Sequence, residues 1–295
     1  MGGICGKIDI ILLQGKIIMK RAVTIQDISC FGKCSLTVAL PIISAMGIET
    51  AVIPTAVLST HTGGFSGYTF RDLTGDIPQI ASHWEKLGLG FDAVYTGYLG
   101  SPAQVQIVSD FIDTFGREDN FIVVDPVMGD AGKLYAGFTD ELVSGMRKLC
   151  TKADYVIPNM TEAAFLLDIP YEESTDEEHS RRLLRSLAEL GCKRPVLTGV
   201  RRGDEHGAVA YDSESGRYHS AYCRHIDRRF HGTGDIFASV FTGAVTLGKD
   251  LGEALELAVR FTSDCITATL PHADEVWYGS CFELCLGDLI DYLRK

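Results

Sequence analysis

From residue 22 onward, short β-rich runs alternate with amphipathic stretches of helical period. This alternation restricts the fold more than any other feature. Strand and helix in turn read as βαβ units, which close into a parallel sheet with helices over both faces. Ala22-Val23-Thr24-Ile25 is the first strand, and residues 36–46 form the helix after it, with an expected kink at Pro41. Residues 50–57 and Asp92-Ala93-Val94-Tyr95 are the next strands. Ser101-Pro102 gives an N-cap with proline in the first turn, and Val105, Val108, Phe111, Ile112 and Phe115 follow at helical spacing. Phe121-Ile122-Val123-Val124 is apolar at every position and belongs in the middle of the sheet. Asp154-Tyr155-Val156-Ile157 and Pro195-Val196-Leu197-Thr198 are further strands. The charged helix between them, residues 176–190, stops at Gly191, a natural C′ residue. Residues 208–211 and 217–223 flank a polar turn and read as a hairpin. Two long helices follow, one after Gly234 and one over about 251–270. There is no repeat and no linker, so the expectation is a single α/β domain over residues 19–295, with 1–18 as an extension outside it.

Composition removes several classes of function. A formal charge of −12 argues against a nucleic-acid surface, which should be basic. The apolar run Ile8-Asp9-Ile10-Ile11-Leu12-Leu13 is too short to span a bilayer and lacks the flanks of a signal peptide. No other stretch is a membrane candidate, so the cytoplasm is the expected compartment. Nine cysteines are present without a CxxC pair. Cys30/Cys34 and Cys281/Cys285 are each spaced by four, but no second ligand pair completes a tetrahedral site. Reduced, mostly buried thiols are expected.

His231-Gly232-Thr233-Gly234-Asp235, running into an apolar helix, is the strongest chemical signal. Free N–H groups at a helix start attract anions, phosphate above all. An aspartate in that first turn can take a proton from a hydroxyl while the amides hold a phosphoryl group in transfer. This suggests a small-molecule kinase. Taken alone, the string fits a glycine turn with a capping aspartate equally well.

Ligands of open parallel sheets bind beyond the carboxyl ends of the strands. Six strands here end in unusual chemistry: Gln26-Asp27; Leu58-Ser59-Thr60-His61-Thr62-Gly63-Gly64; Thr96-Gly97-Tyr98-Leu99-Gly100; Asp125-Pro126-Val127-Met128-Gly129-Asp130; Pro158-Asn159-Met160-Thr161-Glu162; and Thr198-Gly199. Asp125, Asp130 and Glu162 place three carboxylates near that edge. Magnesium with a nucleotide uses one or two carboxylates and keeps waters. Each of these residues would also serve as an ordinary loop or helix cap. No GxxxxGK[ST] loop occurs, nor a GxGxxG after the first strand, so P-loop and dinucleotide folds are disfavoured.

The ordered set Ile25-Gln26, Ser59-Thr60-His61-Thr62-Gly63, Thr96-Gly97-Tyr98-Leu99-Gly100-Ser101, Asp125-Pro126-Val127-Met128-Gly129-Asp130, Pro158-Asn159 with Glu162-Ala163, and Gly232-Thr233-Gly234-Asp235 resembles the vitamin B6 kinases. These form the pyridoxal/pyridoxamine kinase branch of the ribokinase-like superfamily. The resemblance runs from about Met19 to the C-terminus. It implies a three-layer α/β sandwich whose central, mostly parallel sheet carries helices on both faces. It further implies ATP-dependent phosphorylation of the 5′-hydroxyl of a B6 vitamer, with Mg²⁺ and a homodimeric assembly. On this resemblance Asp235 is the catalytic base, and the N–H groups of Gly232, Thr233 and Gly234 form the anion hole. Asp125, Asn159 and Glu162 organise Mg²⁺ and the ATP phosphates, with Asp130 nearby. Asp125 and Glu162 act toward the metal, in part through water. Thr198, Gly199 and Thr233 face the nucleotide. Thr62 and Tyr98 contact the vitamer ring, with Leu58 and His61 close by. A hydroxymethylpyrimidine kinase, or a non-catalytic vitamin-binding protein on the same fold, are the competing readings.

Two positions depart from the family pattern. Asp27 stands where a serine commonly contacts the pyridine ring. A carboxylate there suits a protonated ring nitrogen or an amine, favouring pyridoxamine or pyridoxine; pairing with backbone or Lys33 instead would keep it from substrate. Ile157 stands where threonine is common, which alters the usual monovalent-cation site and leaves potassium activation open. Arg228 and Arg229, just before the anion hole, either screen phosphates or are solvated loop residues.

Overall fold

The computed structural model describes residues 12–13, 16–17, 19–173 and 176–294. Nine strands form one sheet: β1 (Arg21–Ser29), β2 (Glu49–Leu58), β3 (Phe70–Asp72), β4 (Ala93–Thr96), β5 (Phe121–Val124), β6 (Tyr155–Val156), β7 (Arg194–Arg202), β8 (Glu205–Asp212) and β9 (Arg217–Arg224). Their spatial order is β9-β8-β7-β6-β5-β4-β1-β2-β3. The strands from β7 across to β2 run parallel, and β8, β9 and β3 close the two edges antiparallel. The uniformly apolar β5 occupies the middle position, as its sequence requires.

The helices are α1 (Leu36–Ala45), α2 (Ile77–Lys86), α3 (Pro102–Phe115), α4 (Asp140–Cys150), α5 (Met160–Leu167), α6 (Glu177–Glu189), α7 (Thr233–Thr246), α8 (Leu251–Thr269) and α9 (Leu286–Leu293). Strand side chains alternate between two cores, as a period of two demands. Ala22, Ala93, Tyr95 and Val123 pack under α1, α7, α8 and α9. Val23, Val94, Ile122 and Val124 pack under α2 to α6. The result is the expected three-layer sandwich.

Helix signals held closely. Ser101 caps α3, its hydroxyl accepting from the Gln104 N–H at 3.2 Å, with Pro102 in the first turn. Asp176 caps α6, and Gly191 follows its end with φ +117°. The β8–β9 hairpin also forms as read.

Two strands run further than their apolar runs. β1 continues through Gln26 and Asp27 to Ser29, shifting register against β2 between Gln26 and Ile28. Burial of Asp27 is tolerated because two serine hydroxyls satisfy it. β7 continues to Arg202 through a bulge at Thr198/Val200, where Gly199 takes φ +74°. The short β3 and a two-residue ribbon, Gly129–Asp130 against Lys133–Leu134, carry no apolar signature. The ribbon turns on Ala131 and Gly132, both at positive φ, which is the type I′ geometry.

Of residues 1–18, Leu12–Leu13 and Lys16–Ile17 pair with each other and with no strand of the large sheet. The rest of the expected extension lies outside the described residues. Eight cysteines are described, all free and five of them buried. Among the described residues no helix is long and apolar enough to cross a membrane.

Candidate active site

The site assembles at the C-terminal ends of β1, β4, β5 and β7, around the start of α7. Gly232 is the N-cap of α7 at φ +78°. A Cβ there would overlap the Lys33 carbonyl oxygen, so only glycine fits. Ile236 N–H is the donor to the Gly232 carbonyl, at 2.9 Å. The amides of Thr233, Gly234 and Asp235 therefore precede the helical ladder and carry the positive end of the dipole. The expected anion hole comprised the N–H groups of Gly232, Thr233 and Gly234; the amides that precede the ladder here are those of Thr233, Gly234 and Asp235, one residue further on.

Asp235 sits in the first turn of α7. Its carboxylate accepts the backbone N–H of Ser35, and burial together with the charge of Asp27 lifts its pKa to about 7. Ser35 itself has φ 56°, a strained conformation for a non-glycine residue. The Ser239 hydroxyl donates to the Asp235 main-chain carbonyl. The side chain is thus a half-buried acid poised near neutrality, as a general base requires.

Asp125 and Glu162 form a second acidic centre. Glu162 is buried and accepts from Met128 N–H at 3.0 Å and Asn159 N–H at 2.8 Å. Burial still raises it to about 8. Burial, then the charges of Glu162 and Asp235, push Asp125 well above the usual carboxylate range. No described residue donates a hydrogen bond to the Asp125 side chain. Asn159 Oδ1 accepts from Thr161 and Glu162 N–H, and its Nδ2 donates to Gly129 O at 2.9 Å. Asn159 and Glu162 are therefore a reciprocal capping box of α5 that also clamps the 125–130 loop. This leaves Asn159 only one Nδ2 hydrogen for anything else.

Among the described residues no group of three or more His, Cys, Asp or Glu side chains could hold a metal alone. The donors nonetheless fit Mg²⁺ delivered with a nucleotide: Asp125 has uncommitted oxygens, and the paired acids favour a cation beside them. Asp130 is exposed at the rim, 3.9 Å from Arg229. Arg228 pairs with Asp274 at 3.3 Å. Both arginines are solvated, in line with the second of the two readings for them. Thr198 bridges to Asn159, and Gly199 lies in the bulge beside it, which puts both next to the capped loop.

At the opposite side, Asp27 is 5% exposed. It accepts from Ser35 Oγ at 2.5 Å and Ser29 Oγ at 3.0 Å, and burial raises its pKa. Lys33 is not its partner; that ammonium pairs with Glu283 at 2.5 Å. The charge of Asp27 bears on Asp235 and on Tyr98, which brings three of the expected residues together. Leu58 and His61 are buried, whereas Thr62 is exposed. His61 Nδ1 accepts from Gly63 N–H at 3.1 Å, so Nε2 carries the hydrogen and donates to Tyr278 O at 2.8 Å. Ile157 is buried in the core under α7.

Four residues that the sequence reading did not single out also belong here. Ser35 fixes Asp235. Cys34 is half-buried, its pKa raised by desolvation and then by the charges of Asp235 and Asp27. Tyr135 feels the charges of Glu162, Asp130, Asp125 and Asp235. His231 lies against Gly63 and His61. For Tyr135 a signal existed: Asp130-Ala131-Gly132 is a hairpin turn that folds the chain back over the carboxylates.

The family model described as phosphomethylpyrimidine kinase matches residues 40–277. A Bacteroides thetaiotaomicron protein described as a phosphomethylpyrimidine kinase, crystallised with pyridoxal, is 42% identical with a TM-score of 0.87, covering 92% of this chain and 96% of its own. A pyridoxal kinase from Lactobacillus plantarum is 33% identical with a TM-score of 0.84, over 94% of this chain and 97% of its own. The chloroplastic thiamine biosynthetic bifunctional enzyme of Arabidopsis thaliana is 28% identical over 77% of this chain; the match spans 42% of that longer relative.

Proposed function

The chain belongs to the phosphomethylpyrimidine kinase family, and we propose that it transfers the terminal phosphoryl group of ATP to the 5′-hydroxyl of a B6 vitamer. In this reading residues 19–295 are one kinase domain and 1–18 lie outside it. The observation that carries the reading is Asp235, a half-buried carboxyl near pKa 7, beside amides with no helical partner. Asp235 removes the hydroxyl proton while the amides of Thr233, Gly234 and Asp235 receive the phosphoryl oxygens. Asp125, with Glu162 acting through water, would hold Mg²⁺, which offsets the triphosphate charge when bound. Thr198, Gly199 and the rim residue Asp130 face the nucleotide; Asn159 serves it by holding the loop. Leu58, His61, Thr62 and Tyr98 line the vitamer end.

The relative solved with pyridoxal supports a pyridine substrate. The family model and the plant thiamine enzyme support the second reading, a hydroxymethylpyrimidine kinase, since both rings carry a hydroxymethyl group. ADP release across pyridoxal, pyridoxine, pyridoxamine and hydroxymethylpyrimidine decides between them. Turnover confined to the pyrimidine would overturn the first reading. Ligand-dependent thermal stabilisation without any ADP release would overturn both.

Asp27 gives a sharper expectation. Each of its oxygens keeps a lone pair beyond its serine bond, so it can accept from an amine or a protonated ring nitrogen. Asp27→Ser is expected to lower kcat/KM for pyridoxamine relative to pyridoxal by about tenfold, the size of a lost charge-assisted hydrogen bond. An unchanged preference among the three vitamers would remove Asp27 from substrate recognition.

A further inference from the structure

Two glycines in this site make room for two imidazoles. At Gly32, φ +102°, the His61 ring fills the space a Cβ would need. At Gly63 the backbone φ is ordinary, yet a Cβ would stand 2.5 Å from His231 Cε1 and 2.6 Å from its Nδ1. The two rings lie 5.0 Å apart at 44°. His61 is fixed by Gly63 N–H and the Tyr278 carbonyl, which ties it to the turn after β2 and to the segment before α9. His231 makes no hydrogen bond among the described residues that would hold it elsewhere; it leans on Gly63 and His61. It is also the residue before Gly232, whose left-handed conformation opens the anion hole. Partial desolvation lowers both imidazole pKa values, which favours the uncharged pair, and the outer edge of His231 stays exposed.

We propose that His231 is a positioning residue that keeps the anion-hole loop in register with the vitamer-binding turn by packing its ring into the gap left by Gly63. The inference rests on residues 232–235 receiving the phosphoryl group, and it adds a residue whose function is to hold them. The Gly63 clash is with a side chain, not with main chain, so Gly63→Ala expels the ring and leaves the turn intact. Removing the ring or expelling it is then the same lesion.

A double-mutant cycle reads this directly. His231→Ala and Gly63→Ala are each expected to lower kcat by about 10- to 100-fold, the cost of a small misplacement of catalytic groups. KM for either substrate should move far less than kcat. The double variant should be no slower than His231→Ala, because the added methyl group then meets empty space. Additive losses, an effect confined to KM, or a His231→Ala enzyme as fast as the wild type would overturn the proposal while leaving the kinase reading intact. A wild-type protein that releases no ADP with any of the four substrates would overturn both. Should His231→Ala lose its thermal transition, His231→Ser alone and combined with Gly63→Ala gives the same comparison, and a double variant slower than His231→Ser would count against the proposal.

Discussion

Asp235→Asn is expected to lower kcat by roughly 10²- to 10⁴-fold, the range that positioned proton transfer contributes, with nucleotide and vitamer affinity nearly unchanged. Asparagine keeps the shape and can still accept the Ser35 N–H, so the loss isolates proton transfer from positioning. The same change should stabilise the protein. Asp235 has its pKa raised on folding, from 3.8 to about 7, so the native state holds the proton more tightly than the unfolded chain. Stability from this group is complete below pH 3.8 and falls as pH rises toward 7. The corresponding penalty at pH 8 is on the order of 4 kcal/mol, and asparagine removes it. Thermal melts at pH 8 should show Asp235→Asn above wild type, the exchange of stability for activity expected at a working site. Activity should rise with pH through about 7 as the base ionises. Full turnover in the asparagine variant, or a pH profile flat across that region, would exclude Asp235 as the base.

Gly232→Ala is expected to rival it through geometry alone. The new methyl group meets the Lys33 carbonyl oxygen, which is main chain, and the residue keeps φ +78°, where L-residues are strained by about 1–3 kcal/mol. The 232–235 loop must move, and a displacement near 1 Å costs on the order of 10²-fold in rate. Both kcat and the melting temperature should fall. Gly234 is the control: a Cβ there meets nothing within 4 Å, so Gly234→Ala should melt with the wild type. A Gly232→Ala enzyme with normal kcat and stability would mean that the loop is not held where the structure has it.

How far the sequence reached can be followed residue by residue. Phe121 to Val124 announced a central strand because an all-apolar run has nowhere else to go. β1 was cut short at Ile25 because Gln26, Asp27 and Ser29 read as polar; the buried Asp27 is satisfied in part by Ser35, eight residues beyond it, which supplies a hydroxyl. β7 was cut short because Gly199 looks like a terminator when it is a bulge within the strand. The acidic residues at the strand ends were legible as a site, but their division of labour was not. Asn159 and Glu162 spend their bonds on holding a loop, whereas Asp125 keeps its oxygens free, and only distances separate the two. Ser35 was invisible for a related reason, since it carries no motif. His231 opens the glycine string but gave no sign of a role, because what it touches, Gly63 and His61, is distant in sequence.

From residue 236 to 246 every side chain of α7 is buried, gripped by α1, α8 and the underlying strands. A rod so enclosed has no room to pivot. The carboxyl at its tip is therefore stationary, and whatever adjustment a catalytic cycle demands falls on the turns around it. In the proposed reaction the alcohol travels to Asp235, and Asp235 does not reach for the alcohol.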